Sequence, residues 1–274
     1  VVAVSLKQKR TAGVPFLVLS MMAPAVQRWF SAVETPSAMS DARVYRLYAL
    51  SNAGSLLSLL AYPLLIEPRL SLAEQRWGWS ILYGLLMLCV GFCWWMTKDR
   101  AKAGEAATSS LRTSAHLLPV RQGMPWVWIG LAFLPSTLLS SCTTYLTVEI
   151  LPFPLLWAVP LALYLATFIV AFSITTTPIQ RGLWDVITVA LLLASAWAAA
   201  TRIEMGLVEQ CALHLSTLTA ASLSCHMHLA ATRPVTARLT EYYVWISVGG
   251  MLGGFFNAII APQCFSFVAE YPLS

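Results

Sequence analysis

Charge is what this sequence has least of. Only 11% of its 274 residues are Asp, Glu, Lys or Arg, where a soluble domain carries about 25%. So little charge cannot cover a water-exposed surface, and a soluble globular fold is excluded. Acidic side chains are the scarcer kind, 12 against 17 basic ones. On a chain this apolar the net charge of +5 reports membrane topology and not nucleic-acid binding. Nothing in the sequence supplies the parallel-sheet pattern of a dinucleotide-type fold. No P-loop, H-E-x-x-H, C-x-x-C-H or Ser-His-Asp arrangement occurs, and no cofactor or metal is expected. The six cysteines imply no disulfide framework, because Cys89, Cys93, Cys142, Cys211 and Cys225 sit in apolar runs. No Met opens the chain and Val1–Val4 is too short for a signal-peptide core, so the N-terminus reads as trimmed, processed or incompletely known.

What is present is hydrophobic length. Hydrophobic residues make up 58% of the chain, and mean hydropathy is +0.70. About 20 apolar residues cross a bilayer as a helix. Eight segments approach that length: Ala12–Phe30, Tyr45–Ile66, Trp77–Met96, Pro125–Tyr145, Leu155–Ser173, Leu183–Thr201, Leu207–Ala231 and Val244–Ile260. The expected fold is all-α, one polytopic bundle of about eight transmembrane helices over residues 1–274. Ser71 and Glu74, spaced S-x-x-E, predict a capping box ahead of the third segment. Residues 97–123, with Lys98, Arg100, Lys102, Arg112 and Arg121, read as a flexible loop, and their positive charge assigns them to the cytoplasm. Tryptophans near segment ends, Trp77, Trp79, Trp94, Trp95, Trp126, Trp128 and Trp184, read as an interfacial belt.

The last segment organises the chain. LTEYYVWISVGGMLGGFFNAIIAP places Gly249, Gly250, Gly253 and Gly254 along one helix side, a groove into which a neighbouring backbone fits. A phosphate-binding loop needs a strand before its glycines, and here they lie inside an apolar run. The second segment matches this one in sequence. Tyr48 falls on Tyr243, Gly54 on Gly249, Ser55 on Gly250, Ser58 on Gly253 and Arg46 on Glu241. The match has two readings, composition common to membrane helices or a transporter-like internal repeat, and both stay open. On the second, Gly54 and Ser58 line an equivalent groove, and Arg46 and Glu241 form an ion pair at matching depth.

Ionisable residues within spans are the default functional candidates. Glu149, Asp185 and Glu209 lie near segment ends and read first as interfacial anchors. Asn52, Glu149, His214 and Asn257 make up the candidate polar site. Cys211 and His214 share a helix face, whereas His226 and His228 point about 200° apart and cannot share a metal.

Three blocks, YRLYALSNAGSLLSLLAYPLLIEPRL, CTTYLTVEILPFPLLWAVPLALYLATFIVAF and ARLTEYYVWISVGGMLGGFFNAIIAP, resemble the membrane region of bacterial spermidine-synthase-like multi-pass proteins. That resemblance spans roughly Gly13 to Leu273 and implies the bacterial inner membrane. Family members often join such a region to an aminopropyltransferase-like domain, which follows nowhere in this sequence, so the resemblance does not imply catalysis by this chain. The expected function is therefore a non-catalytic membrane subunit or anchor, with lipids and other transmembrane subunits as partners and no nucleic acid. The competing class is a transporter-like domain for a small, polyamine-like solute. An enzyme role requires a catalytic domain supplied from elsewhere.

Overall fold

The computed structural model describes residues 38–115, 124–150, 155–201, 205–234 and 238–264, with Met22, Ala25, Val26 and Trp29 as isolated helical positions. Seven long α-helices and no strand are present among the described residues. They are α1 (Ala38–Ala61), α2 (Leu72–Ala115), α3 (Pro125–Tyr145), α4 (Ala158–Ser173), α5 (Pro178–Thr201), α6 (Leu207–Ala231) and α7 (Leu239–Phe255). The expected first helix, Ala12–Phe30, otherwise lies outside the described residues. Among the described residues five stretches are long and apolar enough to cross a membrane: Arg46–Ile66, Leu72–Lys98, Pro125–Val148, Pro178–Thr201 and Leu239–Gln263. The chain is an integral, multi-pass membrane protein.

The capping box forms as expected and starts α2 at Leu72. Ser71 N and Oγ both donate to Glu74 Oε2, at 2.8 and 2.7 Å, and Glu74 N returns a 3.4 Å bond to Ser71 Oγ. A second box, Thr177 with Gln180, starts α5 in the same way. The stretch expected as a loop from Thr97 is instead helical as far as Ala115. Its Ala, Lys, Glu and Arg residues are good helix formers and contain no proline, so nothing local ends α2 at the apolar boundary. Helices α1, α3 and α7 each run into a π-helical turn, at Tyr62–Ile66, Leu146–Ile150 and Phe256–Ile260. Because α3 shares this ending, it does not single out α1 and α7 as repeats.

The chain divides into two compact units, Val1–Ser51 with Arg76–Val120 and Asn52–Gln75 with Arg121–Ser274. Helices α3 to α7 all belong to the second. Within it α6 packs against α3, α4 and α5, while α3 also packs along α7. Contacts along the helices give their directions. Gly249 meets Ile129 and Gly253 meets Phe133, so α3 and α7 run parallel. Ser195 pairs with Thr217 while Asp185 pairs with Ser224 and His228, so α5 and α6 run antiparallel. Cys142 at His214 and Tyr145 at Gln210 make α3 and α6 antiparallel as well. A chain that reverses direction at each connection from α3 to α7 requires these relations.

Helix α6 explains an apparent weakness of the sequence. It is the most polar of the expected spans, yet His214, Thr217, Ser222, Ser224 and His226 on it are all buried. Three neighbouring helices shield it from lipid, so its polar side chains find protein partners and need not be apolar. Outward positions on α5 show the converse, with Val186, Val189, Leu193 and Trp197 exposed. In a bilayer those residues meet acyl chains.

Candidate functional site

The glycine helix resolves into two rows. A Cβ on Gly249 would run into the Ile129 carbonyl oxygen and come within 2.9 Å of Ala132 Cβ. On Gly253 it would meet Phe133 O at 2.8 Å, Ser136 Cβ at 2.9 Å and Thr137 N at 3.0 Å. Real Cβ atoms do not sit that close to backbone, so these two glycines set the approach of α7 to α3. Gly250 and Gly254 belong to a different face, because a Cβ on either meets nothing within 4 Å among the described residues. The single four-glycine groove is thus corrected to one row of two. The 100° step between adjacent helical residues turns the second row off the seam.

Polar groups lock the same seam. Ser136 Oγ donates to Gly250 O at 2.9 Å. Ser141 Oγ donates to Asn257 Oδ1 at 2.6 Å, while Asn257 Nδ2 donates to Thr137 O at 3.1 Å and Gly253 O at 3.2 Å. Asn257, a candidate for ligand binding from sequence, uses its amide to bridge two helices. Trp128 and Tyr242 close one end of the seam edge to face, centroids 5.1 Å apart, and Tyr242 OH donates to Leu229 O of α6 at 2.8 Å. Trp128 is therefore core and not belt.

The other sequence candidates separate. Gly54 and Ser58 are exposed, and a Cβ on Gly54 meets nothing within 4 Å, so among the described residues no groove closes on α1 there. Asn52 is half-buried on α1. The Glu149 side chain lies outside the described residues. His214 is buried on α6 with its ring edge-on to Tyr145 at 4.6 Å, and Gln210 Nε2 donates to the Tyr145 hydroxyl at 2.8 Å.

Arg46 and Glu241 fall in the two separate units. Both Glu241 oxygens accept from Arg238, Nε to Oε2 at 2.8 Å and Nη2 to Oε1 at 2.7 Å. The fork three residues away satisfies the carboxylate, and the counter-ion assigned by the repeat is not needed. A double-mutant cycle of Arg46→Ala and Glu241→Ala, read by unfolding in bicelles, is expected to be additive to within ~0.5 kcal/mol. Coupling above that would restore the pair.

Two polar clusters on α6 were not assembled from sequence. In the first, Asp185 accepts from Ser224 Oγ, and His228 Nε2 lies 3.1 Å from its Oδ1 and 3.0 Å from its Oδ2. Side-chain exposures of 36% for His228 and 43% for Asp185 put this group at the rim of the bundle. The signal was Ser224 and His228 at i and i+4, facing an acidic residue near the start of an antiparallel neighbour. Ser224 reaches Asp185 and not the imidazole, so the group holds a proton-bearing pair but no relay to an activated serine. In the second, His226 stacks on Phe168 at 3.5 Å with Nδ1 2.9 Å from Thr167 Oγ1. His226 and His228 thus face α4 and α5 respectively, as their spacing requires. Among the described residues no three His, Cys, Asp or Glu side chains gather as a metal site would need. Compared with family models, curated proteins and solved structures, the chain matches none.

Proposed function

We propose that this chain is a non-catalytic integral membrane subunit that packs against other transmembrane helices in a larger complex. The observation that carries this reading is the second small-residue row of α7. Ser247, Gly250, Gly254 and, in the π-helical turn, Ala258 follow one another at helical spacing. Ser247 and Ala258 are exposed, and no described residue lies within 4 Å of a Cβ built on either glycine between them. The Ser247 hydroxyl donates back to Tyr243 O at 2.8 Å, so this row offers backbone and methyl surface with no free proton. Such a surface suits close helix approach in lipid, where packing and not the hydrophobic effect drives association. The first row supports the reading by showing what this helix does with glycines four apart.

The two rows allow the reading to be tested apart from folding. Gly250→Leu is expected to leave the thermal stability of the isolated chain within ~0.5 kcal/mol of wild type. The same substitution should strip co-migrating subunits from gently extracted native complexes. Unchanged complexes in Gly250→Leu and Gly254→Leu, or a wild-type chain that migrates alone, would sink the proposal. On the same reading the membrane is the bacterial inner membrane, with Lys98 to Arg121 on the cytoplasmic side. The resemblance to spermidine-synthase-like proteins extends it, making a soluble aminopropyltransferase-like chain one candidate partner.

A second reading, a transporter-like domain for a small solute, draws support from the Asp185–Ser224–His228 group. A carboxylate and an imidazole at the rim of a bundle are the chemistry that cation or proton coupling uses. Asp185 already accepts from two neighbours, and this favours the packing role.

A further inference from the structure

Helix α4 is short for a membrane span. Its 16 residues rise only about 24 Å, against the ~30 Å of a hydrocarbon core. The stretches that hold α3, α5 and α7 run to 24 or 25 residues, and α6 to 25. Contacts show which end of α4 is missing. Thr167 Oγ1 lies 2.9 Å from His226 Nδ1, and Tyr164 and Phe168 flank the same ring. Leu156 packs on the cluster that holds Leu218 and Ala221, so α4 and α6 run parallel. The offset of 59 residues between Thr167 and His226 sets Ser173 level with Thr232, just past the end of α6. That end is the rim of Asp185 and His228. The same offset sets Ala158 level with Thr217, near the middle of α6. Leu207–Ser216, about 15 Å of helix, therefore continues towards the opposite surface with no α4 beside it.

At that depth the chain before Ala158 is not helical. Leu155–Trp157 is a turn, in which Ala158 N donates to Leu155 O at 2.9 Å and Val159 N to Leu156 O at 3.2 Å. Leu155 takes a φ of 83°, the left-handed region that a leucine enters only at a sharp change of direction. No side chain caps α4, and the first amides of a helix have no partner within it. Leu155 and Trp157 are 40% and 47% exposed, so the turn faces out of the bundle. Irregular backbone of this kind does not face lipid tails inside the hydrocarbon. Since register holds the turn at this depth, the polar boundary has to come to it. The walls beyond the turn fit that boundary. Tyr145 of α3 accepts from Gln210 of α6 at their shared level, and Thr144, Glu209 and Ser216 around them are exposed. We infer that the bilayer is thinned on the α4 flank, with lipid headgroups and water drawn down to Leu155–Trp157. The partner of this surface is the lipid itself, which thins around a span too short for it. Trp157 then meets headgroups as an interfacial indole does. The α5 flank supplies the contrast. Ser195 pairs with Thr217, so Leu193 and Trp197 lie at the depth of Ala158, yet on regular helix and outward.

The experiment uses the full chain in lipid nanodiscs, which leave both membrane faces open to a reagent. Leu155→Cys, Trp157→Cys, Leu193→Cys and Trp197→Cys are each treated with the charged methanethiosulfonate ethyltrimethylammonium. Mass spectrometry reads the label site by site, so the native cysteines stay in place. Leu155→Cys and Trp157→Cys are expected to react at least about tenfold faster than the two α5 variants, because the reactive thiolate forms only where water reaches it. Equally slow reaction at all four sites overturns the inference by placing the turn in dry hydrocarbon. Equally fast reaction overturns it too, since the α5 sites would then lie outside the hydrocarbon and the depth read from register would be wrong. Should the substitutions at the turn prevent folding, deuterium exchange at the Trp157 amide of the wild-type chain decides. Exchange within seconds supports a hydrated turn, and protection lasting hours overturns it.

Discussion

Gly253→Leu should abolish the packing of α7 on α3. The added side chain would have to occupy space held by the Phe133 carbonyl, Ser136 Cβ and the Thr137 amide, all within about 3 Å of its first carbon. None of these is the end of a flexible side chain, so no rotamer relieves the clash. The helices must separate, and separation also breaks the Ser136–Gly250 and Ser141–Asn257 bonds and the donation from the Asn257 amide to Thr137 O. Overpacking costs about 1–3 kcal/mol where neighbours can yield, and interhelical hydrogen bonds in membranes average ~0.6 kcal/mol each. The expected loss is therefore at least ~3 kcal/mol, and Gly249→Leu should behave alike. Unfolding in bicelles against SDS is the measurement. A Gly253→Leu protein as stable as wild type would mean that the α3–α7 seam does not hold the bundle.

That the fold is helical and membrane-spanning was legible from scarce charge and long apolar runs, because a bilayer leaves few alternatives for satisfying the backbone. Glycines four apart were legible as a seam for the same reason. Which of two adjacent glycine rows faces a neighbour was not, since both sit in one apolar run. Every flanking residue, from Val244 to Phe255, suits lipid and protein contact equally. The Arg46–Glu241 pair is a different case. Register alone suggested it, while the competing partner Arg238 stood three residues away on the same helix turn. Short sequence distance wins when a long flexible side chain can fold back at little entropic cost. The polar α6 was legible as a helix but not as the centre of the bundle. Hydropathy weighs a residue against lipid and cannot register three shielding helices. Asp185 with Ser224 and His228, and Thr167 with His226, became visible only once helix directions were known.

Trp126 and Trp128 make the sharpest test of that distinction, being the same residue two positions apart on one helix. Two positions is about 200° of rotation, so the two indoles point to opposite sides. Trp126 is 73% exposed and Trp128 fully buried. Trp128 stands edge-on to Tyr242, whose hydroxyl is bonded to Leu229 O, so one indole braces the junction of α3, α6 and α7. Removing it opens a cavity the size of an indole where backbone contacts already fix the helix spacing and prevent collapse. Trp128→Ala is expected to cost about 3–5 kcal/mol, the range for deleting a buried aromatic. Trp128→Phe should recover part of it by keeping a ring beside Tyr242. Trp126→Ala removes a ring from the outer surface, and its effect is expected within ~0.5 kcal/mol. Tyr242→Phe supplies the control on the other side of the pair, costing ~1 kcal/mol for the lost hydrogen bond while retaining the ring contact. Equal sensitivity at positions 126 and 128 would return both tryptophans to the interfacial belt. It would also remove the anchor that sets α7 in register with α3.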